Sequence, residues 1–189
     1  MAAKSSLKNM ALCLTLVCLF CSTILALVYA VTFDPIEQAA RKALETSIGR
    51  VLPEGGTLSE AQTAEFEGQN FEYYVSSADT AVVAYAVKST TIGFGGPLTV
   101  MVGVLPDGTV YNTSVLSHSE TPGLGAKCQT DEAFLGQWKG YNGNFKVTKD
   151  GGDVDAITAS TITSRAYTLA VANAVEFVKS ISGEGTTNE

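Results

Sequence analysis

The sequence predicts an α+β protein in which one transmembrane helix precedes a single exported domain, built from an antiparallel sheet with flanking helices. Three observations support this prediction. An uncharged run lies near the N-terminus, several central segments are rich in β-branched and aromatic residues, and the last long segment repeats apolar residues at helical spacing. Residues 32–182 are the right size for one compact domain with its own core.

The predicted anchor covers residues 10–31, from Met10 to Val31, which contain no charged side chain. At about 1.5 Å of rise per residue this run spans roughly 33 Å, and a hydrocarbon core is about 30 Å thick. A cleaved signal peptide is the main alternative, because Val28-Tyr29-Ala30 offers small residues at peptidase spacing, but the run exceeds the usual signal core of about 7–15 residues. A lipid anchor is less favoured, since Cys18 does not follow a small residue.

Charges on either side of the run predict its orientation in the cell inner (cytoplasmic) membrane. Lys4 and Lys8 precede it while Asp34 and Glu37 follow it, so residues 1–9 are expected in the cytoplasm and the domain outside. Without those two lysines the exported part has 12 − 2 = 10 basic and 19 acidic residues, a formal charge of −9. Such a balance predicts no nucleic-acid partner.

The four cysteines predict no disulfide framework. Cys13, Cys18 and Cys21 lie inside the uncharged run, which leaves Cys128 alone in the exported domain. Cys18 and Cys21 share a helix face and could form half of a metal site, but no histidine accompanies them and thiols commonly pack as small hydrophobic groups. We expect no metal site and no independent catalytic residue.

Apolar residues at three- and four-residue spacing predict an amphipathic helix over residues 35–52 that packs on the domain. Its apolar face consists of Ile36, Ala39, Ala40, Ala43, Leu44 and Ile48. Pro53-Glu54-Gly55-Gly56 ends this helix, and the polar stretch to Asn70 is expected to be an irregular loop. A terminal helix is expected over residues 163–181, followed by a disordered tail over residues 183–189.

Between these helices, four segments are predicted to be antiparallel strands, namely residues 71–75, 80–87, 98–105 and 109–116. Asp107-Gly108 separates the last two and is a strong hairpin signal. Residues 131–138 predict a short helix and residues 145–148 a short strand. Trp138 could cover a ligand, but filling the core is the favoured interpretation.

The segment Asp155-Ala156-Ile157-Thr158-Ala159-Ser160-Thr161-Ile162-Thr163-Ser164 places small hydroxyl residues directly before the terminal helix. The first turn of a helix presents unpaired N–H groups and the positive end of the dipole, so an anion such as phosphate is favoured there. Thr161 is the best-placed hydroxyl to bind a phosphate or to be esterified by one. The alternative is a hydroxyl-rich N-cap with nothing bound.

A second motif, His118-Ser119-Glu120-Thr121-Pro122-Gly123-Leu124-Gly125, is a loop in which proline fixes one turn residue and two glycines permit close approach of a flat ligand. Glu120 and Thr121 can hydrogen-bond the polar edge of such a ligand, and Leu124 can contact its face. His118, the only histidine, is expected to be a capping or surface residue.

The two motifs, together with a third, resemble those of a family of membrane flavoprotein subunits. Residues 155–163 are similar to the flavinylation motif Asp-x-x-Ser/Thr-Gly-Ala-Ser/Thr-x-Thr/Ser of the Rnf and Na⁺-translocating NADH:quinone reductase complexes, with Ala159 in place of Gly and Ser160 in place of Ala. Residues 120–125 match the family's Glu-Thr-Pro-Gly-Leu-Gly, and residues 93–97 are similar to its Gly-Tyr-Gly-Gly-Pro. Chain length favours the RnfG type over the longer NqrC type of the quinone reductase.

The resemblance implies which residues hold a cofactor. Thr161 would carry FMN through a phosphoester bond. The other residues implied to bind the cofactor are Thr158, Ala159, Ser160, Thr163, Glu120, Thr121, Gly123 and Leu124. Because a Cβ makes positive φ costly, we expect Ala159 to keep an ordinary backbone conformation.

The resemblance also implies the function of an electron-transfer subunit in the Rnf ion-translocating ferredoxin:NAD⁺ oxidoreductase, with residues 32–182 as the FMN-binding domain. Its partners would be other Rnf subunits, notably the flavin-bearing RnfD and the iron–sulfur membrane subunits RnfA and RnfE. An FAD-dependent flavin transferase of the ApbE type, using Mg²⁺, would attach the FMN. A stand-alone membrane-anchored flavoprotein and a domain without covalent cofactor are the alternatives.

Overall fold

The structure is a computed structural model that describes residues 7–78 and 81–184. Its chain divides into two units, Met1–Ala43 and Leu44–Glu189, and the first helix, α1 (Leu7–Val51), contributes to both. Parts of three predicted segments lie outside the described residues. They are residues 1–6 of the predicted cytoplasmic N-terminus, Thr80 of the second predicted strand, and residues 185–189 of the predicted tail.

The described residues of the first unit, 7–43, are helical. An 18-residue window of α1 has a mean hydropathy of 2.6 and no buried side chain, so this helix is long and apolar enough to cross a membrane. The helix predicted over residues 35–52 is confirmed to Val51, and it continues the membrane-spanning helix through Pro35 without a break. Proline removes one backbone hydrogen bond, and the alanines and other strong helix formers that follow allow the helix to continue.

In the second unit, the described residues form a six-stranded antiparallel sheet. Its strands are β1 (Thr57–Leu58), β2 (Gln62–Phe66), β3 (Gln69–Ala78), β4 (Ala81–Ile92), β5 (Pro97–Val104) and β6 (Val110–His118). β1 and β2 both pair with β3, and the order continues through β4 and β5 to β6. The β5–β6 hairpin turns at Asp107-Gly108 as predicted, and Gly108 has a φ of 84°.

Two local predictions are wrong. The expected loop before Asn70 contains β1 and β2, whose residues lie at a sheet edge and are mostly exposed. Only Ala64 and Phe66 of β2 pack on the core, which is too short an apolar alternation to predict a strand. The expected strand at residues 145–148 is reduced to one bridge between Val147 and Val154, because the chain enters a 3-10 turn, Thr148–Asp150, and reverses at Gly151 with a φ of 78°.

The described residues also form a 3-10 helix, Gly125–Gln129, and two further α-helices. α2 (Glu132–Gly136) begins after Asp131, whose Oδ1 accepts hydrogen bonds from the N–H groups of Ala133 and Phe134 at 3.1 and 3.2 Å. α3 (Thr161–Glu184) starts two residues earlier than predicted and extends beyond the predicted end at residue 181.

The sheet is covered on both faces, and β5 shows this most clearly. Val100, Val102 and Val104 belong to the larger core cluster with α2 and α3, whereas Met101 belongs to a second cluster with Ile48 and the end of α1. Successive strand side chains point to opposite faces, so the sheet separates two apolar layers.

The packing predicted for the amphipathic helix is confirmed for its last turns, which belong to the second unit. Leu44 and Ile48 pack on the domain, while Ile36 and the three alanines of the predicted apolar face are exposed. Trp138 is fully buried and stacks on Tyr167 with ring centroids 5.5 Å apart, which confirms its place in the core.

Gly103 in β5 supports a close approach between the sheet and the end of α1. A Cβ at this position would overlap the backbone carbonyl of Val51, which can move only if the helix end shifts. We therefore expect Gly103→Ala to lower the free energy of unfolding by about 1–3 kcal/mol, the usual cost of overpacking. Urea denaturation of the full chain in detergent measures this, and an unchanged midpoint would contradict the packing. Gly136→Ala, where a Cβ meets nothing within 4 Å, is the near-neutral control.

Candidate functional site

The three motifs meet at one end of the sheet. Ile92 pairs with Pro97, and Leu98 pairs with His118, so the glycine-rich turn after β4 and the loop after β6 lie side by side. The Thr91 hydroxyl donates a 2.8 Å hydrogen bond to the carbonyl oxygen of Ala166, which holds the beginning of α3 at the same end. Segments far apart in sequence therefore form one site.

A cavity of about 360 Å³ lies at this place, within the range of about 300–1,000 Å³ that is usual for small-molecule sites. Its lining consists of Phe94, Glu120, Thr121, Leu124, Gly125, Ala159, Ser160, Thr161, Ile162 and Thr163. Of the residues predicted to bind the cofactor, Thr158 and Gly123 are outside this lining and the others are part of it. Phe94, Gly125 and Ile162 were not predicted as site residues, although each belongs to one of the motifs.

Glu120 joins the three motifs. Its side chain is 6% exposed, Oε1 accepts a 2.8 Å hydrogen bond from the Phe94 N–H, and Oε2 accepts a 2.9 Å bond from the Thr163 hydroxyl. A buried carboxylate needs such donors to offset its lost hydration. Glu120 therefore holds the glycine-rich turn and the first turn of α3 against its own loop, a role that the motif alone does not reveal.

Gly125 permits this arrangement, because a Cβ there would collide with Glu120 Oε2 and Thr163 Oγ1. The sequence motif alone suggested room for a flat ligand, but this glycine makes room for side chains of the protein itself.

His118 caps the same loop. Its Nδ1 accepts from the Glu120 N–H at 3.2 Å, which leaves Nε2 to donate to Gln129 Oε1 at 3.2 Å.

Cys128 lies in the core and adds no reactive thiol. Burial, and next the negative charge of Glu120, raise the pKa of Cys128 to about 11. The group is therefore a protonated thiol at neutral pH and a weak nucleophile.

The start of α3 has the features of a phosphate-binding site. Ser160, directly before the helix, lines the cavity and is 7% exposed, and among the described residues its buried Oγ has no hydrogen-bond partner. An unpartnered buried hydroxyl costs about 1–3 kcal/mol, so a ligand oxygen is a favourable partner. The neighbouring first-turn residues Thr161, Ile162 and Thr163 also line the cavity, and first-turn N–H groups have no intrahelical acceptor. The residues present therefore fit the phosphate of FMN.

The loop before α3 is braced by Ser164. Its hydroxyl oxygen accepts from the Ile157 N–H at 2.9 Å and donates to the Ser160 carbonyl at 3.0 Å. Thr161, the first residue of α3, is half-buried, and its Oγ1 accepts a 3.2 Å hydrogen bond from Lys149 Nζ. Sequence spacing gave no signal for Lys149, since the contact depends on the turn after Val147.

Ala159 has a φ of 62°, so the prediction that it avoids positive φ is wrong. The Ser160 N–H donates to the Ile157 carbonyl at 3.0 Å, which closes a four-residue turn with Ala159 at the third position. A type II turn requires positive φ there and favours glycine. The glycine that is usual in the family at this position therefore suits a positive φ, which Ala159 adopts at a cost in free energy.

Ala159→Gly is expected to stabilise the protein by about 1 kcal/mol, because the left-handed conformation costs a residue with a Cβ roughly 1–2 kcal/mol. Differential scanning calorimetry should show a rise in Tm of roughly 2–4 °C. Ala156→Gly, outside the positive-φ position, is the matched control and should lower Tm. A fall of Tm in Ala159→Gly equal to that of the control would contradict the turn.

The chain contains an FMN-binding domain. Residues 93–176 match the family described as FMN-binding domain, and this span begins at the glycine-rich turn and includes every residue that lines the cavity. Residues 1–51, which end where α1 ends, match the RnfG N-terminal region.

The chain belongs to the RnfG family. It is 33% identical over 174 residues to the G component of the proton-translocating ferredoxin:NAD(+) oxidoreductase complex of Clostridium ljungdahlii, with 90% of each chain covered. It is 34% identical over 174 residues to the G component of the ion-translocating oxidoreductase complex of Vibrio cholerae, with 82% of each chain covered. The resemblance inferred from the motifs is therefore confirmed.

A solved structure shares the fold. The C component of the Na(+)-translocating NADH-quinone reductase of Parabacteroides distasonis aligns over 73% of this chain and 82% of its own, with 23% identity and a TM-score of 0.50. At this identity the likeness concerns the fold alone.

Proposed function

We propose that the chain is an electron-transfer subunit of an Rnf-type ion-translocating ferredoxin:NAD⁺ oxidoreductase, in which it relays electrons through one FMN held outside the membrane. The relatives from Clostridium and Vibrio support the complex, and the ferredoxin and NAD⁺ substrates come from the name of the Clostridium protein. The observation that carries the proposal is the meeting of three motifs around one cavity at the first turn of α3.

Thr161 is the proposed attachment point. During attachment a bond would form between Thr161 Oγ1 and the FMN phosphorus of FAD, the phosphoanhydride bond to AMP would break, and AMP would leave. The side-chain partner of Thr161 Oγ1 among the described residues is the Lys149 ammonium group, which donates and does not accept a proton, so we expect a base of another protein to take the hydroxyl proton. An FAD-dependent, Mg²⁺-using flavin transferase of the ApbE type would supply that base.

The protein would hold and orient the flavin. FMN supplies one-electron redox chemistry when bound. Ser160 and the first-turn N–H groups would hold the phosphate, and the exposed apolar side chains of Phe94, Leu124 and Ile162 would contact the ring. A covalent link suits a relay, because the cofactor must stay at a fixed place between two partners.

The proposed electron path enters from reduced ferredoxin through the iron–sulfur proteins RnfA and RnfE, passes this flavin, and continues through the flavin-bearing RnfD towards NAD⁺. α1 would anchor the chain in the inner membrane with residues 1–9 in the cytoplasm and residues 32–182 as the exported FMN-binding domain. An NqrC-type role in a quinone reductase is less favoured, since that likeness concerns the fold alone.

The test is to produce the full chain with and without the flavin transferase and to view a denaturing gel under ultraviolet light. We expect a fluorescent band only when the transferase is present, and a dark band in its presence would overturn the covalent FMN.

Purification from native membranes tests the complex. Co-purification with the other Rnf subunits is expected, whereas isolation as a lone flavoprotein would contradict the assignment to an Rnf complex.

A further inference from the structure

Lys149 is a basic residue at the proposed attachment point. Its Nζ lies 3.2 Å from Thr161 Oγ1, although the two residues are separated by the 3-10 turn and the loop before α3. None of the three sequence motifs includes it. An ammonium group at this distance can contact an oxygen of any phosphate placed on Oγ1.

The turn that carries Lys149 is fixed by contacts on both sides. Arg165, in the second turn of α3, donates two hydrogen bonds to the Asp150 carboxylate at 2.7 and 2.6 Å. This bidentate pair lowers the pKa of Asp150 and ties the turn to α3. On the other side, a Cβ at Gly152 would collide with the carbonyl of Lys146, so the chain packs closely on itself.

The ion pair between Arg165 and Asp150 also determines which basic group beside Thr161 is left without an acidic partner. Arg165 compensates Asp150, and among the ion pairs of the described residues none includes Lys149. The positive charge of Lys149 therefore lies beside the Thr161 hydroxyl without a carboxylate partner. Ser160, whose buried Oγ has no partner among the described residues, lines the same cavity as Thr161. The cavity at the start of α3 therefore has an unpartnered hydroxyl in its lining and a lysine beside Thr161.

We propose that Lys149 is a positioning residue whose ammonium group contacts the phosphate of the FMN on Thr161. This inference rests on the proposed function. The contact offsets the negative charge of the phosphodiester and orients Thr161 Oγ1 towards the incoming phosphorus during transfer. Lys149 takes no part in the bonds that form and break.

The experiment compares full-length wild type with Lys149→Met, Lys149→Arg and Lys146→Met in detergent, each incubated with flavin transferase, FAD and Mg²⁺. Initial rates of FMN incorporation follow from in-gel fluorescence. Lys149→Met should transfer roughly tenfold more slowly, because it loses one charge-assisted hydrogen bond, whereas Lys149→Arg should recover most of the rate. Lys146→Met removes an exposed lysine just before the same turn and should match wild type.

A second readout is the ³¹P NMR chemical shift of the phosphodiester in the loaded proteins at one neutral pH. We expect this resonance to move in Lys149→Met, because the phosphate loses a neighbouring ammonium group, and to stay at the wild-type position in Lys146→Met.

The possible failures are distinguishable. If wild type accepts no FMN, the proposed function and this inference both fail. If wild type is loaded and Lys149→Met matches it in rate and in ³¹P chemical shift, only the role of Lys149 is overturned. Equal slowing in Lys146→Met and Lys149→Met would show a general charge effect and would also overturn that role.

Discussion

Thr161→Val is expected to remove all covalent flavin from the chain while leaving the fold intact. Valine has nearly the shape of threonine, and the lost hydroxyl is half-buried with Lys149 as its side-chain partner, so little stability is at stake. The loss of flavin should be complete because the oxygen that forms the phosphoester is gone. In-gel fluorescence and the intact mass of the chain, co-produced with the transferase, measure the result.

Thr158→Ala is the matched control, because Thr158 is an exposed hydroxyl of the same motif that does not line the cavity. It should be loaded like wild type. Thr163→Ala should also stay fluorescent, but it removes a hydrogen bond to buried Glu120 and should be less stable. Fluorescence that persists in Thr161→Val would place the attachment at another residue.

Glu120→Ala is expected to have the largest effect on stability among the site residues. It leaves the Phe94 N–H and the Thr163 hydroxyl without their acceptor, and hydrogen bonds to charged groups contribute about 1.5–3 kcal/mol each. We expect a loss of about 3 kcal/mol and a fall in Tm of roughly 10 °C, with reduced loading of FMN. Calorimetry and gel fluorescence on the full chain measure both effects.

Two variants sharpen this experiment. Glu120→Gln keeps the size and one acceptor oxygen, so it should lose about half as much stability as Glu120→Ala. Glu65→Ala removes an exposed carboxylate of β2 and should change stability by less than about 0.5 kcal/mol. A Tm of Glu120→Ala within about 2 °C of the Glu65→Ala value would contradict the central role of the Glu120 carboxylate.

The sequence predicts those parts of the fold that depend on local patterns. The uncharged run, the hairpin at Asp107-Gly108 and the apolar face of α3 each have a periodicity or a turn residue that does not need the rest of the chain. β1 and β2 were missed because their mostly exposed residues lie at the sheet edge and owe their conformation to pairing with β3.

The site is predictable in its residues but not in its contacts. Motif order placed Glu120 and Thr161 near one ligand, yet the bonds from Glu120 to Phe94 and Thr163 cross 26 and 43 positions of sequence. Such pairings depend on how β4, β5 and β6 end together. The contact between Lys149 and Thr161 likewise depends on a turn in three dimensions, and no local pattern predicted it.

The most direct test of the account is peptide mass spectrometry of the chain purified from its native membranes. Trypsin cleaves after Lys149 and Arg165, so the attachment point lies on one peptide, Asp150–Arg165. The account predicts that this peptide carries the mass of one FMN less one water, with fragment ions placing it on Thr161. The same peptide found unmodified at near-full occupancy would contradict the covalent relay.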